Sequence, residues 1–200
     1  VGMKHVWSHG GTDVQSASPA AGPNIEARDL VHRYGAEAVL DGYSERFESG
    51  EMSILMGESG IGKTTLLRLI LGLEEPESGE IRFDWPEDDE LESDGETQDS
   101  PRSPRFACCF QEPRLVEWLS GEENLLLVTG DRTRCRELLA YSGIESDSKP
   151  VAQYSGGMRQ KTALLRSLLA QSDILILDEP FKELDETSAN LMMELVREMK

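Results

Sequence analysis

Residues 57–64 have the sequence GESGIGKT and match GxxxxGK followed by Ser or Thr, a pattern typical of phosphate-binding loops. The glycines let the backbone turn its N–H groups toward phosphate oxygens, Lys63 supplies an ammonium group, and the Thr64 hydroxyl can ligate Mg²⁺. An apolar stretch at 53–56 and a helical pattern at 64–73 flank the loop, which favours a phosphate site over a chance glycine-rich turn. We predict nucleotide contacts from Gly57, Glu58, Ser59, Gly60, Ile61, Gly62, Lys63, Thr64 and Thr65, and a catalytic role for Lys63.

A pair of acids follows a short apolar run farther along the chain. Residues 174–177 are ILIL, and Asp178 and Glu179 come directly after them. A strand buried on both faces would deliver these carboxylates to its carboxyl edge, where α/β sheets bind ligands. Asp178 would then hold Mg²⁺, while Glu179 would orient and deprotonate an attacking water. Taken alone, the pattern fits an ordinary core strand and a polar turn equally well; the phosphate loop upstream favours the catalytic interpretation.

Residues 154–160, YSGGMRQ, precede the acidic pair by the length of one helix. On its own, SGG is only a weak signal for a helix N-cap. Together with the two motifs above, the segment resembles the signature motif of ABC-type transport ATPases, and this resemblance covers residues 25–200. It implies that ATP and Mg²⁺ are cofactors and that two copies form a head-to-tail homodimer with composite ATP sites. It also assigns nucleotide contacts to Ser155, Gly156, Gly157 and Gln160.

Three more positions match that family residue by residue. Tyr34 lies where the family has an aromatic side chain that stacks on adenine, although it could instead be a core aromatic of a strand. Gln111 resembles the glutamine that senses Mg²⁺ and the transmembrane partner, and Asp185 resembles the aspartate of the family's D-loop. The resemblance thus predicts Glu179, Lys63 and Gln111 as catalytic residues, Thr64, Gln111 and Asp178 as metal ligands, and Tyr34 and Asp185 as nucleotide contacts.

The run FQEPRLVEWL at residues 110–119 is similar to importer ATPases for nitrate, sulfonates and taurine. The resemblance therefore implies a subunit that hydrolyses ATP to drive import of a small solute. Its partners would be transmembrane permease subunits and, indirectly, a substrate-binding protein, at the cytoplasmic face of the cell membrane. The alternative is a truncated or degenerate module that binds ATP without efficient turnover.

Short apolar strands alternate with helical patterns along the chain, which indicates an α/β fold. We expect a P-loop NTPase core with a mainly parallel sheet, an antiparallel β part near the N-terminus and an inserted helical subdomain. Residues 1–24 are predicted to be a disordered leader and residues 25–200 the ATPase domain. Within that domain, the catalytic core would comprise 25–111 and 172–200, and the helical subdomain about 112–171.

Composition narrows the possible partners. The formal net charge of −18 argues against nucleic-acid binding, which requires clustered Lys and Arg. The densely acidic segment at 84–100 is predicted to be a solvated, flexible loop rather than a site for a cation or a basic partner.

The three histidines, His5, His9 and His32, all precede the phosphate loop, so none can serve as the family's switch histidine. In the family, that histidine ends a strand that follows the D-loop helix, beyond the last residue here. We expect the sequence to be C-terminally truncated, with a fragment favoured over a degenerate copy, and residues 1–200 to show little steady-state ATPase activity.

Overall fold

The computed structural model describes residues 4–7, 22–86, 102–145 and 148–199. The chain divides into two compact units, Val1–Pro104 and Arg105–Lys200, which are described separately below. Its strands are β1 Lys4–Trp7, β2 Asn24–Tyr34, β3 Glu37–Phe47, β4 Ser53–Met56, β5 Ser78–Asp84, β6 Phe106–Cys109 and β7 Ile174–Leu177. Its α-helices are α1 Lys63–Ile70, α2 Gly121–Leu126, α3 Arg132–Tyr141, α4 Gly156–Leu169 and α5 Glu186–Met199. None of the helices within the described ranges combines the length and apolar character that crossing a bilayer requires.

The first unit contains a three-stranded antiparallel sheet in the order β3-β2-β5. The central strand β2 buries Ile25 and Ala27 through the alternation of side chains along a strand, and a register shift between Ala27 and Leu30 buries Leu30 as well. Strand β5 passes β2 so closely that a Cβ atom at Gly79 would lie 2.4 Å from the carbonyl oxygen of Arg28. Only glycine fits at that position, and the antiparallel part predicted near the N-terminus is confirmed.

Strand β1 corrects the prediction that the whole leader lacks structure. Residues 4–7 pair antiparallel with β4, the strand that leads into the phosphate loop, in the register Lys4↔Met56 to Trp7↔Ser53. A strand edge offers unpaired N–H and C=O groups to any extended segment, and this pairing depends on partners far apart in sequence. The other residues of the predicted leader up to position 21 lie outside the described residues, as do residues 87–101 of the acidic region.

The second unit is built around β6 and β7, which pair in parallel. Helices α4 and α5 contribute Leu164, Leu165, Leu168, Met192, Leu195 and Val196 to its hydrophobic core. The mixed α/β fold is confirmed, but within the described residues β6 and β7 form the only parallel pair. The antiparallel pairing of β2 with β3 in the first unit is longer than this parallel pair. Gly35, with a positive φ of 65°, closes the tight hairpin between β2 and β3.

The helices of the second unit carry local start signals. Ser120 and Glu123 form a reciprocal capping box at the start of α2, and the Asp131 side chain accepts a hydrogen bond from Arg134 N at the start of α3. The buried Glu122 carboxylate pairs with Arg132 and with Arg136, whose Nε lies 2.8 Å away. These signals start two short helices, α2 and α3. The predicted division into a catalytic core and a helical subdomain stays a prediction.

Asn124 organises the loop that enters α2. Its side chain is fully buried, and Oδ1 accepts a hydrogen bond from Val116 N at 2.8 Å. Its Nδ2 donates to the carbonyls of Val116 at 3.1 Å and Ser120 at 3.0 Å. These bonds hold the segment that carries Trp118, whose side chain is 78% exposed. One amide side chain thus determines the conformation of an otherwise irregular loop.

Replacing Asn124 with Leu keeps the approximate volume but leaves Val116 N without its partner and removes one of the donors to the carbonyls of Val116 and Ser120. We expect the free energy of unfolding to fall by about 2–3 kcal/mol, since buried polar groups left unpaired carry that cost. Urea denaturation followed by circular dichroism measures the change. The exposed Leu127→Ala is the control, with an expected change within about 0.5 kcal/mol. Equal midpoints for the two variants would contradict this role for Asn124.

Candidate functional site

The phosphate loop lies in the first unit, between the end of β4 and the start of α1. Gly60 and Gly62 have φ angles of 84° and 103°, which L side chains rarely adopt. A Cβ atom at Gly62 would lie 3.0 Å from both Cγ1 and the carbonyl oxygen of Val39. Glycine is therefore required at position 62 by its backbone conformation and by the strand beside it. The result is a compact loop at the N-terminus of a helix, where the backbone N–H groups attract anions.

Lys63 folds back over this loop. Its Nζ donates hydrogen bonds to the carbonyl oxygens of Gly57 and Glu58, both at 2.8 Å. Both acceptors are neutral, so these bonds orient the ammonium group without cancelling its charge. A positive charge is thereby held beside the backbone N–H groups of the loop, as binding of a phosphate chain requires.

Two threonines follow Lys63 in the first turn of α1, and they lie in different surroundings. Thr64 is exposed, whereas Thr65 is only 7% exposed and belongs to the buried side of the helix together with Leu66. The hydroxyl of Thr64 is thus the more accessible of the two. The predicted contacts of both threonines with nucleotide stay predictions.

Tyr34 lies at the end of β2 in the same unit and is 48% exposed. Its hydroxyl donates to Glu74 Oε2 at 2.6 Å, and the other oxygen of Glu74 is 3.1 Å from Arg68 Nη1, on α1. The bond from Tyr34 is the main cause that lowers the pKa of Glu74, with Arg68 adding to it. His32 packs edge-on against Tyr34; its Nε2 lies 3.2 Å from Glu74 Oε2 but is not aligned for a hydrogen bond.

This network ties the exposed aromatic ring to the helix that begins in the phosphate loop. No sequence pattern predicts that Glu74 accepts a hydrogen bond from Tyr34, because that bond joins segments 40 residues apart. The stacking of Tyr34 on adenine stays a prediction.

The predicted acids lie in the second unit, at the carboxyl edge of the parallel pair. Cys109 pairs with Leu177, and the Asp178 N–H donates to the Cys109 carbonyl at 2.8 Å. Because the two strands run in the same direction, Gln111 and the acidic pair emerge at the same edge. Asp178 is 9% exposed. The structure therefore brings Gln111 to the same sheet edge as Asp178 and Glu179, although it precedes them by 67 and 68 residues.

Glu179 is held in an uncommon backbone conformation, with a φ angle of 47°. A non-glycine residue in this region costs about 1–3 kcal/mol, and such residues are concentrated at functional sites. Its side chain is about half exposed and forms an ion pair with Lys182 Nζ at 3.0 Å. The turn thus presents this carboxylate outward, whereas the neighbouring Asp178 is nearly buried. The pairing with Lys182 was not predicted, although the three-residue spacing could have suggested it.

Ser155 caps helix α4, as its side chain accepts a hydrogen bond from Met158 N at 3.2 Å. Gly156 and Gly157 then approach the segment after the acidic pair. A Cβ atom at Gly156 would lie 3.2 Å from Glu183 Oε2, and one at Gly157 would lie 3.2 Å from the Glu183 carbonyl oxygen. The glycines of the signature thus allow the first turn of α4 to lie directly against residue 183.

Asp185 begins the last helix. Its Oδ1 accepts a hydrogen bond from Ser188 N at 2.9 Å, and hydrogen bonds from Ser188 lower the pKa of the Asp185 carboxyl. This is the geometry of a helix N-cap. The structure thus gives Asp185 a capping function at α5, and its contact with nucleotide stays a prediction.

Gln160 differs from the expectation that it contacts nucleotide. Its side chain is fully buried in the second unit, and Nε2 donates to the Pro180 carbonyl at 3.1 Å. Helical spacing explains the burial, because Gln160 lies on the same buried face of α4 as Ala163, Leu164 and Ser167. That periodicity was visible in the sequence. The structure therefore makes Gln160 an internal residue and corrects its assignment to the nucleotide-contacting surface.

Comparison with known proteins agrees with these motifs. The family model described as "ABC transporter" matches residues 40–182. An aliphatic sulfonates import ATP-binding protein (SsuB 1) of Rhizobium johnstonii is 34% identical over 92% of this chain and 64% of its own length. A protein of the same name from Rhodococcus jostii is 39% identical over 86% of this chain and 67% of its own. The chain thus spans about two thirds of the length of these relatives.

Among solved structures, the dimeric structure of MJ0796, a bacterial ABC transporter cassette, matches with a TM-score of 0.68 and 25% identity. The match covers 88% of this chain and 82% of the cassette. A post-hydrolysis structure of MJ0796 bound to ADP and Pi gives a TM-score of 0.66 at 23% identity, which supports the fold. Residues 40–182, which the family model matches, include the phosphate loop, the signature and the acidic pair. The chain therefore belongs to the ABC transporter family and carries its ATP-binding domain.

Proposed function

We propose that this chain is the Mg·ATP-binding and ATP-hydrolysing part of a protein that imports a small sulfonate-like solute, with slow turnover by residues 1–200 alone. The observation that carries the nucleotide part is the loop at 57–64, where two glycines with positive φ and the oriented ammonium of Lys63 line the start of α1. The names of the relatives at 34–39% identity support the importer part.

The residues present fit a nucleotide bound with Mg²⁺. Gly60 and Gly62 have positive φ angles and carry no side chain, so the backbone of the loop can approach phosphate oxygens closely. Thr64 in the first unit and, separately, Gln111 and Asp178 in the second unit carry oxygen atoms of the kind that Mg²⁺ prefers as ligands. When bound, the metal ion neutralises negative charge on the β- and γ-phosphate oxygens.

Glu179 is the proposed general base. A water placed beside its carboxylate would lose a proton to a carboxylate oxygen while the water oxygen bonds to the γ-phosphorus. The bond from the γ-phosphorus to the β,γ-bridging oxygen would break in the same step, with ADP as the leaving group. The Glu179 side chain is about half exposed whereas Asp178 is nearly buried, which suits the two carboxylates to separate functions. The ion pair with Lys182 is exposed, so releasing it would cost little.

We further propose a head-to-tail dimer in which α4 of one copy faces the nucleotide of the other. The Ser155-capped N-terminus of this 14-residue helix offers N–H groups to an anion, which supports such an arrangement. Permease subunits would dock at the loop that carries Trp118, where a large aromatic side chain is left largely uncovered. A substrate-binding protein would act on this chain only indirectly, through those permeases. This chain itself would lie at the cytoplasmic face of the membrane. The solute class would be sulfonate, taurine or nitrate.

Replacing Lys63 with Ala removes the only side-chain ammonium of the phosphate loop. We expect the affinity for Mg·ATP to fall at least about 100-fold, since a charge-assisted contact to phosphate is lost. Titration with a fluorescent ATP analogue measures the affinity. Arg82→Ala, which removes an exposed cation of the same unit, is the control and should bind as the wild type does. Unchanged affinity in Lys63→Ala would refute the assignment of this loop.

Replacing Glu179 with Gln removes the proposed base but keeps the shape of the side chain. We expect ATP turnover to fall about 100-fold or more while the affinity for Mg·ATP stays within about threefold, as expected for loss of general-base catalysis. Phosphate release and analogue titration measure the two quantities, with the exposed Glu194→Gln as control. An unchanged rate would mean that a different group accepts the proton. A wild type that binds Mg·ATP but turns it over no faster than Glu179→Gln would favour the nucleotide-binding module.

A further inference from the structure

Gln160 is a fully buried amide that joins three segments of the second unit. It lies in the second turn of α4, and its Nε2 donates to the carbonyl of Pro180 at 3.1 Å. The same Nε2 is 3.8 Å from the Sγ atom of Cys109, at the end of β6. Because a carbonyl can only accept a hydrogen bond, the contact with Pro180 also establishes which end of the amide is the nitrogen.

Both residues that Gln160 contacts lie close in sequence to residues proposed to act in ATP hydrolysis. Pro180 directly follows Glu179, so the hydrogen bond reaches the turn that presents the proposed base. Cys109 accepts the Asp178 N–H through its carbonyl and precedes Gln111 by two residues. The amide thus lies beneath the edge where these polar groups emerge.

Stability alone does not explain a glutamine at this position. Burying an amide costs free energy unless its polar atoms are satisfied, and Gln160 Oε1 has no hydrogen-bond partner among the described residues. An unbranched apolar side chain such as Met has nearly the same length and would pack there without that cost. What Met could not provide is the bond to the Pro180 carbonyl.

A second contact restrains the same turn. The signature glycine Gly157 lies against the Glu183 carbonyl, where an added Cβ would be only 3.2 Å away. The turn after β7 is therefore restrained by α4 at both of its ends, by a hydrogen bond at Pro180 and by close packing at Glu183. A shift of the first two turns of α4 must then be accommodated by the backbone that carries Glu179.

We propose that Gln160 is a positioning residue that couples the signature helix α4 to the turn bearing Glu179, so that the orientation of the proposed base depends on α4. This inference rests on the proposed function for the identity of the reaction, but the link itself is a property of the second unit alone. The residue touches no nucleotide and acts through Pro180.

The test compares Gln160→Met with Thr162→Val by hydrogen–deuterium exchange. Thr162 is equally buried on α4 but bonds only within its helix, to the Met158 carbonyl, so its variant is the matched control. The probes are the amides of Lys182 and Leu184, which donate to the carbonyls of Glu179 and Phe181. We expect their exchange to rise about tenfold in Gln160→Met and to stay near wild type in Thr162→Val, as one hydrogen bond of restraint is lost. Equal protection in both variants would overturn the link.

Turnover kinetics test the positioning part. We expect kcat for ATP to fall about tenfold in Gln160→Met with KM within about threefold, because the phosphate loop is unaltered and only the base is displaced. An unchanged kcat, or a loss confined to KM, would overturn it. If the wild type neither binds nor hydrolyses ATP, the proposed function fails, whereas the exchange comparison still decides whether the link exists.

Gln160→Glu provides a second variant should the methionine variant not fold. A protonated carboxyl can donate to the Pro180 carbonyl, but an ionised one cannot, so protection of Lys182 and Leu184 relative to wild type should fall as pH rises. Protection that does not vary with pH relative to wild type would contradict the proposal.

Discussion

The parallel pairing of β6 with β7 is the constraint on which the second unit depends. Its register places Cys109 opposite Leu177 and lets the Asp178 amide bond to the Cys109 carbonyl. At the opposite end, Arg105 pairs with Asp173 through Nη2–Oδ1 at 3.0 Å, and Asp173 in turn accepts a hydrogen bond from Arg105 N. A slip of one residue would turn every side chain to the other face and break both ends of the ladder. The common edge of Gln111 and the two acids follows from this register.

Glycine makes a different contribution in each unit. At Gly60 and Gly62 in the phosphate loop, it permits left-handed backbone that turns the chain sharply before α1. At Gly156 and Gly157, by contrast, the helix is ordinary, and the absence of a side chain matters because residue 183 lies so close. The same residue type is thus needed for conformation in one motif and for space in the other.

Buried polar side chains support the exposed groups of the second unit. Asn124 satisfies the backbone of the loop that carries Trp118, while Gln160 bonds to the turn that carries Glu179. In both cases a fully buried amide determines how an irregular segment is held, since backbone groups away from water must find partners. Such residues cost stability when unsatisfied, and they specify one conformation of the loop when they are bonded.

Local signals were enough to locate the main elements from sequence. The run ILIL matches the bounds of β7, and the serine before two glycines marks the start of α4. The motif residues Lys63, Ser155 and Glu179 were identified because each lies in a short motif that is contiguous in the chain. Signals of this kind depend on neighbours within a few positions, so they can be recognised without knowledge of the fold.

What the sequence determined by itself was the family of motifs, the alternation of strands and helices, and the residues able to bind phosphate or accept a proton. The tertiary structure alone decided that β1 pairs with β4, that Glu74 holds Tyr34, and that Gln160 faces inward to Pro180. These pairings join residues from 20 to more than 40 positions apart. Their partners are chosen by burial and hydrogen bonding in three dimensions, and spacing along the chain does not encode that choice.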